Sequence, residues 1–215
     1  MNGFILVNKQ KDVSSNFVVQ EIKKKIKAKK VGHMGTLDPL ASGLLVLAIN
    51  RATKFSSYFL ESEKSYDVEV ALGISTDTDD STGNIISESN DCPDEELIMK
   101  ELYRFKGESF QVPPFFSALK HKGKPLYYYA RKGEFISKPA RKIKVINIED
   151  FKYKNKICSF RIQCSKGTYI RSIARDLGER LGCGAHMKSL IRISQGKFCI
   201  SKSKEISHLS KEDII

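Results

Sequence analysis

The chain has 215 residues, with 37 Lys and Arg against 25 Asp and Glu, a formal net charge of +12 and a hydrophobic content of 40%. This composition excludes a disordered or fibrous chain, and no apolar run approaches the roughly 20 residues of a membrane-spanning helix. The surplus of positive charge points to a polyanionic partner, RNA or DNA, because neutralising phosphates releases their counterions.

Five cysteines (Cys92, Cys158, Cys164, Cys183 and Cys199) are scattered and never form a Cys-x-x-Cys pair, so neither a disulfide framework nor a zinc site is indicated. The N-terminus lacks a charged-then-apolar signal pattern, which places the expected site of action in the cytoplasm.

Gly3 to Asn8 reads as a first strand. Ser14 and Ser15 then cap a helix that carries Phe17, Val18, Ile22 and Ile26 at helical spacing. Lys23, Lys24, Lys25, Lys27, Lys29 and Lys30 follow, either as phosphate contacts or as a solvated face. The stretch from Val31 to Phe55 is unusual. Gly32, Gly35 and Gly43 mark a shaped loop, and Pro39 stiffens the corner that presents Asp38. Leu44 to Ile49 is an unbroken apolar run that suits a strand buried on both faces. Read by itself, Asp38-Pro39 fits a plain turn as well as a site.

Thr53 to Leu60 reads as a short helix, and Lys64 to Leu72 alternates, with Tyr66, Val68, Val70 and Leu72 on one face. The acidic segment Thr76 to Gly83 fails the spacing of a calcium loop and reads as a connector. Pro93, Glu95 and Glu96 open a helix lined by Leu97, Ile98, Leu102 and Phe105 and closed by Gly107. Pro113 to Arg131 mixes prolines, aromatics and cations, the mixture with which proteins grip unpaired bases; a stiffened surface loop is the plainer alternative. Two strands are expected at Lys142 to Phe151 and Lys156 to Cys164. A turn and a helix follow, with Ile170, Ile173, Ala174, Leu177 and Leu181 facing inward. Arg171, read alone, is an ordinary surface cation.

The block Gly32-His33-Met34-Gly35-Thr36-Leu37-Asp38-Pro39-Leu40-Ala41-Ser42-Gly43-Leu44-Leu45, followed by Thr53-Lys54-Phe55, closely resembles the signature of the TruB-type tRNA pseudouridine synthases. Lys64-Ser65-Tyr66, Ser117-Ala118-Leu119-Lys120, the run from Leu126 to Arg131, and Lys166-Gly167-Thr168-Tyr169-Ile170-Arg171 resemble further elements of that family. The resemblance implies an α+β fold with a mixed, mostly antiparallel central sheet and flanking helices. It makes Asp38 the catalytic aspartate, acting on a uridine flipped out of the T loop at position 55 in tRNA numbering. Tyr66 then packs on the target base and helps move the C5 proton, Arg171 pairs with Asp38, and His33 fills the space beside the extruded nucleotide. Lys9, Lys120, Arg131, Tyr169 and Arg192 are the implied RNA contacts.

The implied partner is the T-arm of tRNA, bound by a monomer that needs no cofactor and no metal. Residues 1–215 are expected to form one catalytic domain, because the segment from Ser201 to Ile215 is too short for the C-terminal PUA domain of most bacterial members. Gln10 and Asp12 stand where the family usually has Pro and Gly, which should alter a turn. An Asp-dependent N-glycosidic hydrolase and a non-catalytic tRNA-binding or RNA-folding module are the alternatives; the first would release uracil, and the second would tolerate Asp38→Asn.

Overall fold

The computed structural model describes residues 1–215, which form two compact units. The first comprises Met1–Asp67, Gln163–Lys166 and Leu190–Ile215, and the second Val68–Ile162 and Gly167–Ser189.

The first unit opens with β1 (Gly3–Lys9) and α1 (Ser15–Lys25). Ser14 caps that helix by accepting the Phe17 N–H at 3.0 Å, and Val18, Val19 and Ile22 are buried. Phe17, expected on the inner face, is instead 49% exposed. After α1 come β2 (Val31–His33), β3 (Ser42–Ile49), α2 (Ser56–Glu61) and the start of β4 (Lys64–Leu72). The apolar run behaves as expected, since every residue from Gly43 to Ile49 is buried. β3 lies between β1, which it pairs antiparallel from Gly3↔Ile49 to Lys9↔Gly43, and a late strand described below. On one of its two buried faces Leu44, Val46 and Ala48 pack with Leu6, Met34, Phe59 and Phe198, and the Phe59 and Phe198 rings stack at 5.5 Å.

The chain's last residues run along β1. Lys204 N donates to Leu6 O, and Phe4 and Ile215 exchange two backbone hydrogen bonds of 2.9 and 3.0 Å. The segment after Ser201 thereby covers what would be an open sheet edge.

In the second unit, β5 (Ile74–Thr76) and β6 (Ile85–Glu88) form a hairpin whose tip is the acidic segment. The helix α3 (Glu95–Tyr103) is capped by Asp94, which accepts the Leu97 N–H at 2.9 Å. Ile98 and Leu102 are buried, but Leu97 is 40% exposed, so one residue of the expected inner face lies outside. The helix also ends at Tyr103, and Gly107 opens β7 (Gly107–Gln111). A small pair, β8 (Lys120–His121) and β9 (Lys124–Pro125), leads to α4 (Leu126–Ala130). Then come β10 (Arg141–Lys154), antiparallel to β7, and β11 (Ile157–Cys164) with Cys158, Phe160, Ile162 and Cys164 buried on one face.

The helix α5 (Ile170–Leu181) buries Ile170, Ile173, Ala174 and Leu177 and closes on Gly182 at φ +73°. A side chain at Gly178 would meet the backbone of Gly184 and Ala185 at 2.2–2.4 Å, so only glycine lets α5 lie against the start of β12 (Ala185–Gln195). A last short strand, β13 (Phe198–Cys199), pairs with β12 in the first unit.

The main sheet follows the hydrogen-bonded order β1-β3-β12-β4-β11-β10-β7, with β2 on β3 and β13 on β12. The strands β4, β11 and β12 each contribute residues to both units. The fold is α+β with a mostly antiparallel sheet, as expected; the parallel β3–β12 pair, Ile191↔Ser42 and Arg192↔Gly43, makes it mixed.

Candidate active site

Asp38 sits at the head of a turn. Pro39 follows at the position whose fixed φ suits it, and the Ala41 N–H returns to the Asp38 carbonyl at 3.1 Å. The carboxylate is half-buried, and the residues on either side of it are held from beneath by three buried polar groups.

The first is Ser15. Its hydroxyl donates to Leu37 O at 2.7 Å and accepts the Leu37 N–H at 2.8 Å, pinning the residue before Asp38 to the start of α1. The second is Lys9, with no exposed surface, whose ammonium donates to Gln10 O (2.9 Å), Val13 O (2.8 Å) and Pro39 O (3.3 Å). Burial brings its pKa down to about 8, against the opposing pull of the Asp38 and Asp12 carboxylates. Asp12 completes this contact, since its N–H donates to the same Pro39 carbonyl at 2.8 Å. Asp12, at the position where the resemblance implies glycine, adopts φ +67°; aspartate tolerates the left-handed region better than most residues, so it can hold this turn.

The third group is Arg192. Its guanidinium is 1% exposed and donates to Leu44 O (2.6 Å), Gly35 O (3.0 Å) and Thr36 O (3.4 Å). Beside it, Gln195 donates to Met34 O at 2.5 Å and Phe59 O at 3.0 Å. Gly43 is what admits Arg192's strand, because a side chain there would come within 2.5–3.1 Å of the Arg192 backbone. Lys9 and Arg192, expected among the RNA contacts, are therefore buried on backbone carbonyls of the first unit.

Tyr66 lies on the buried face of β4, within the field of the Arg192 guanidinium. Burial pushes its phenol up to about 12, partly offset by the Arg192 charge and reinforced by Asp38, which keeps Tyr66 protonated at neutral pH. Lys64, two residues earlier on the same face, donates to Leu60 O and Ser62 O and is brought by burial and Arg192 to about 8. His33 is half-buried opposite Leu47 on β3, and its Nδ1 is buried with no hydrogen-bond partner in the protein. Burial and Arg192 lower its pKa, which favours the neutral ring.

In the second unit, Arg171 is 5% exposed. It donates to Thr78 O (3.1 Å) and Phe116 O (2.8 Å) and lies 3.7 Å from Asp80. Asp80 is itself buried and accepts from Thr78 and from both Thr82 donors, so the acidic connector is an ordered cradle for that arginine. Tyr169 is fixed through its backbone, which exchanges two hydrogen bonds with the Gln111 side chain at 2.8 and 3.1 Å. Lys120 and Arg131 are exposed; Arg131 stacks over Tyr127 at 5.3 Å, and Lys124 and Lys132 flank the Tyr128 ring at 4.3 and 4.6 Å. His186 bonds Ile74 O at 2.9 Å, a structural task.

Sequence reasoning missed Lys64, Gln195 and Asp80 as parts of these arrangements. Lys64 shares the alternation that exposed Tyr66 to view, which was a usable signal. Gln195 has none, because its partners Met34 and Phe59 are more than 130 residues away. No cluster of three or more His, Cys, Asp or Glu residues has metal-binding geometry.

Comparison with known proteins bears on this geometry. Residues 23–170 match the family model "TruB family pseudouridylate synthase (N terminal domain)", and residues 171–213 match "tRNA pseudouridylate synthase B C-terminal domain". Proteins named tRNA pseudouridine synthase B from Francisella tularensis subsp. tularensis (strain WY96-3418) and subsp. novicida (strain U112) are each 43% identical over 211 residues, covering 97% of this chain and 70% of theirs. The solved structure "Crystal Structure of a Cbf5-Nop10-Gar1 Complex" matches 98% of the chain at 30% identity and a TM-score of 0.73. "Structure of H/ACA RNP bound to a substrate RNA containing 2'-deoxyuridine" matches 98% at 27% identity and a TM-score of 0.70. The chain spans about half the length of those two structures' matched chains, 52% and 51%.

Proposed function

The chain belongs to the TruB family of pseudouridylate synthases, and from that premise we propose that it isomerises a uridine of tRNA to pseudouridine, with Asp38 as the nucleophile. The observation that carries the reading is the Asp38 turn, held by Ser15, Lys9 and Arg192 and bordered by Tyr66 and His33 within one unit. Buried cations on the flanking backbone hold the carboxylate in place, which serves a nucleophile that must meet a fixed target.

The reaction breaks the bond from N1 to the ribose carbon, turns the base and joins C5 to that carbon. A proton leaves C5 and one is gained at N1, so the product is an isomer and no co-reactant is consumed. The target is assigned to the T loop, where an unpaired uridine leaves the stack at small cost, with His33 filling the gap. Arg171 is assigned to pair with Asp38 and orient it. Lys120, Arg131 and Tyr169 are assigned to the RNA, supported by the exposed cation and tyrosine cluster from Tyr127 to Lys132. The enzyme is read as a cytoplasmic monomer, with residues 1–215 supplying the catalytic machinery.

The test is an unmodified tRNA transcript incubated with wild type and with Asp38→Asn, with pseudouridine mapped by carbodiimide labelling and primer extension. Product at the T-loop uridine from wild type alone supports the reading. Binding without product, or release of free uracil, overturns it.

A further inference from the structure

A short 3₁₀ helix, Asn50–Phe55, runs directly into α2, and the two together present unlike faces. Inward, Ala52 and Phe59 are buried, and the Phe59 ring stacks on Phe198 and meets Phe4 at 4.7 Å. Outward, Arg51, Lys54, Phe55 and Tyr58 are all exposed, at the i, i+3, i+4 and i+7 spacing that sets side chains along one helical stripe. Phe55 is 61% exposed and Tyr58 72%.

Nothing in the fold depends on that stripe. The carbonyls at the end of α2 are held by other residues: Gln195 donates to Phe59 O at 3.0 Å, and Lys64 donates to Leu60 O at 3.1 Å and to Ser62 O. Phe59 supplies the packing. Single apolar residues at a surface are ordinary, but two aromatic rings beside two cations are the combination that takes unpaired bases together with their phosphates. The segment's own carboxylate, Glu61, is paired with Lys166, which leaves the stripe positive. The segment also borders the Asp38 block, since a side chain at Gly32, the residue before His33, would meet Thr53 Cγ2 at 3.8 Å.

We propose that Phe55 and Tyr58 form a stacking platform for unpaired bases of the tRNA, with Arg51 and Lys54 on the adjoining phosphates. The inference rests on tRNA as the substrate proposed above, and it adds a second surface to the contacts assigned to Lys120, Arg131 and Tyr169. Every base offers a π face, so such a platform is tolerant of sequence and holds the RNA without reading it. Its effect falls on binding rather than on the chemical step.

The chain contains no tryptophan, so Tyr58→Trp places a single fluorophore in the platform. Stacking on a base is expected to quench its emission when tRNA is added. In the double variant Phe55→Ala, Tyr58→Ala, tRNA affinity should fall by roughly tenfold or more, with the salt dependence of binding unchanged. The single-turnover rate at saturating tRNA should stay within about twofold of wild type, because neither ring takes part in the reaction. Arg51→Gln should instead reduce the slope of log affinity against log salt by about one. The substituted side chains are exposed, so melting temperatures should stay close to that of wild type.

Emission that tRNA leaves unchanged, or full tRNA affinity in the double variant, overturns the proposal. So does dimerisation of the wild type that the double variant abolishes, which would assign the rings to a second copy of the chain. Should the wild type form no pseudouridine, the assigned reaction fails, while quenching and affinity loss still decide the platform.

Discussion

Lys9 and Pro39 stand 30 residues apart in sequence and meet where the Lys9 ammonium donates to the Pro39 carbonyl at 3.3 Å. This bond, with those to Gln10 O and Val13 O, ties the end of β1 to the residue after Asp38. Replacing Lys9 by Met takes the ammonium away from Gln10 O and Val13 O and leaves Pro39 O with the Asp12 N–H alone, at a cost of roughly 1–3 kcal/mol in stability. We expect Lys9→Met to lower single-turnover activity more than tRNA affinity, checked by urea denaturation and rate measurements together. Loss of affinity alone would contradict a supporting role beneath the turn.

The same lysine gives a pH dependence with a definite sign. Its folded pKa of about 8 lies below the 10.5 of an ordinary lysine, so the native state sheds this proton first. Folding stability from Lys9 therefore rises between about pH 8 and 10.5 as the burial penalty is relieved, and Lys64, also at about 8, acts in the same direction. A fall in rate as pH passes through about 8, with melting temperature level or rising, is the expected result. A rate that stays flat to pH 9.5 would mean that the turn does not depend on the Lys9 charge.

Asp12 provides a conservative test of the turn. It occupies φ +67° while its N–H holds Pro39 O. Asp12→Gly should be neutral or stabilising by up to about 1 kcal/mol, and Asp12→Val should cost about 1–2 kcal/mol, because a branched side chain is strained in the left-handed region. Chemical denaturation of the two variants measures both. A valine variant as stable as wild type would show that the turn yields without cost.

These relationships mark what the sequence could and could not disclose. The buried strand Ser42–Ile49, the alternation through Tyr66 and the inward face of α5 were legible because each is set by a local period of apolar residues. The Asp38 block was legible as a resemblance, whereas the residues alone left it open as a plain turn. The burial of Lys9 and Arg192 was not legible, since Lys and Arg are mostly exposed and only long-range partners reveal the exceptions. β12 was also missed as a strand. Its parallel register with β3, Arg192 against Gly43, joins segments about 150 residues apart and leaves no trace in a short window. Leu97 misled in the opposite way, because an apolar residue on a helix can face water without consequence.

Gly43 links the register to the site. It takes φ +97°, and a side chain there would lie 2.5 Å from Arg192 O and 2.8 Å from Arg192 N, both backbone atoms that cannot swing aside. Gly43→Ala must therefore separate β3 from β12 and displace the guanidinium that grips Gly35 and Leu44. A stability loss of about 3 kcal/mol or more is expected, with single-turnover activity falling alongside it. Retained stability and activity would show that the two strands can part without disturbing the Asp38 turn.

Asp79 gives an independent test in the second unit. Its carboxylate lies 3.1 Å from Arg175, yet burial pushes its pKa up to about 6, with Asp176 and Asp80 adding to the rise and Arg175 and Arg171 opposing it. Because the folded value exceeds the 3.8 of an ordinary aspartate, the native state binds this proton more tightly than the unfolded chain. The contribution of Asp79 is thus most favourable below about pH 4 and is lost as pH rises through about 6. Asp79→Asn removes the titration and keeps the side-chain shape. The stability of wild type relative to Asp79→Asn should therefore decline from about pH 4 to 6.5, measured as a difference in unfolding free energy at each pH. A difference that stays flat would show that Arg175 and Arg171 neutralise the burial penalty in full; one that grows with pH would show that the ion pair outweighs it.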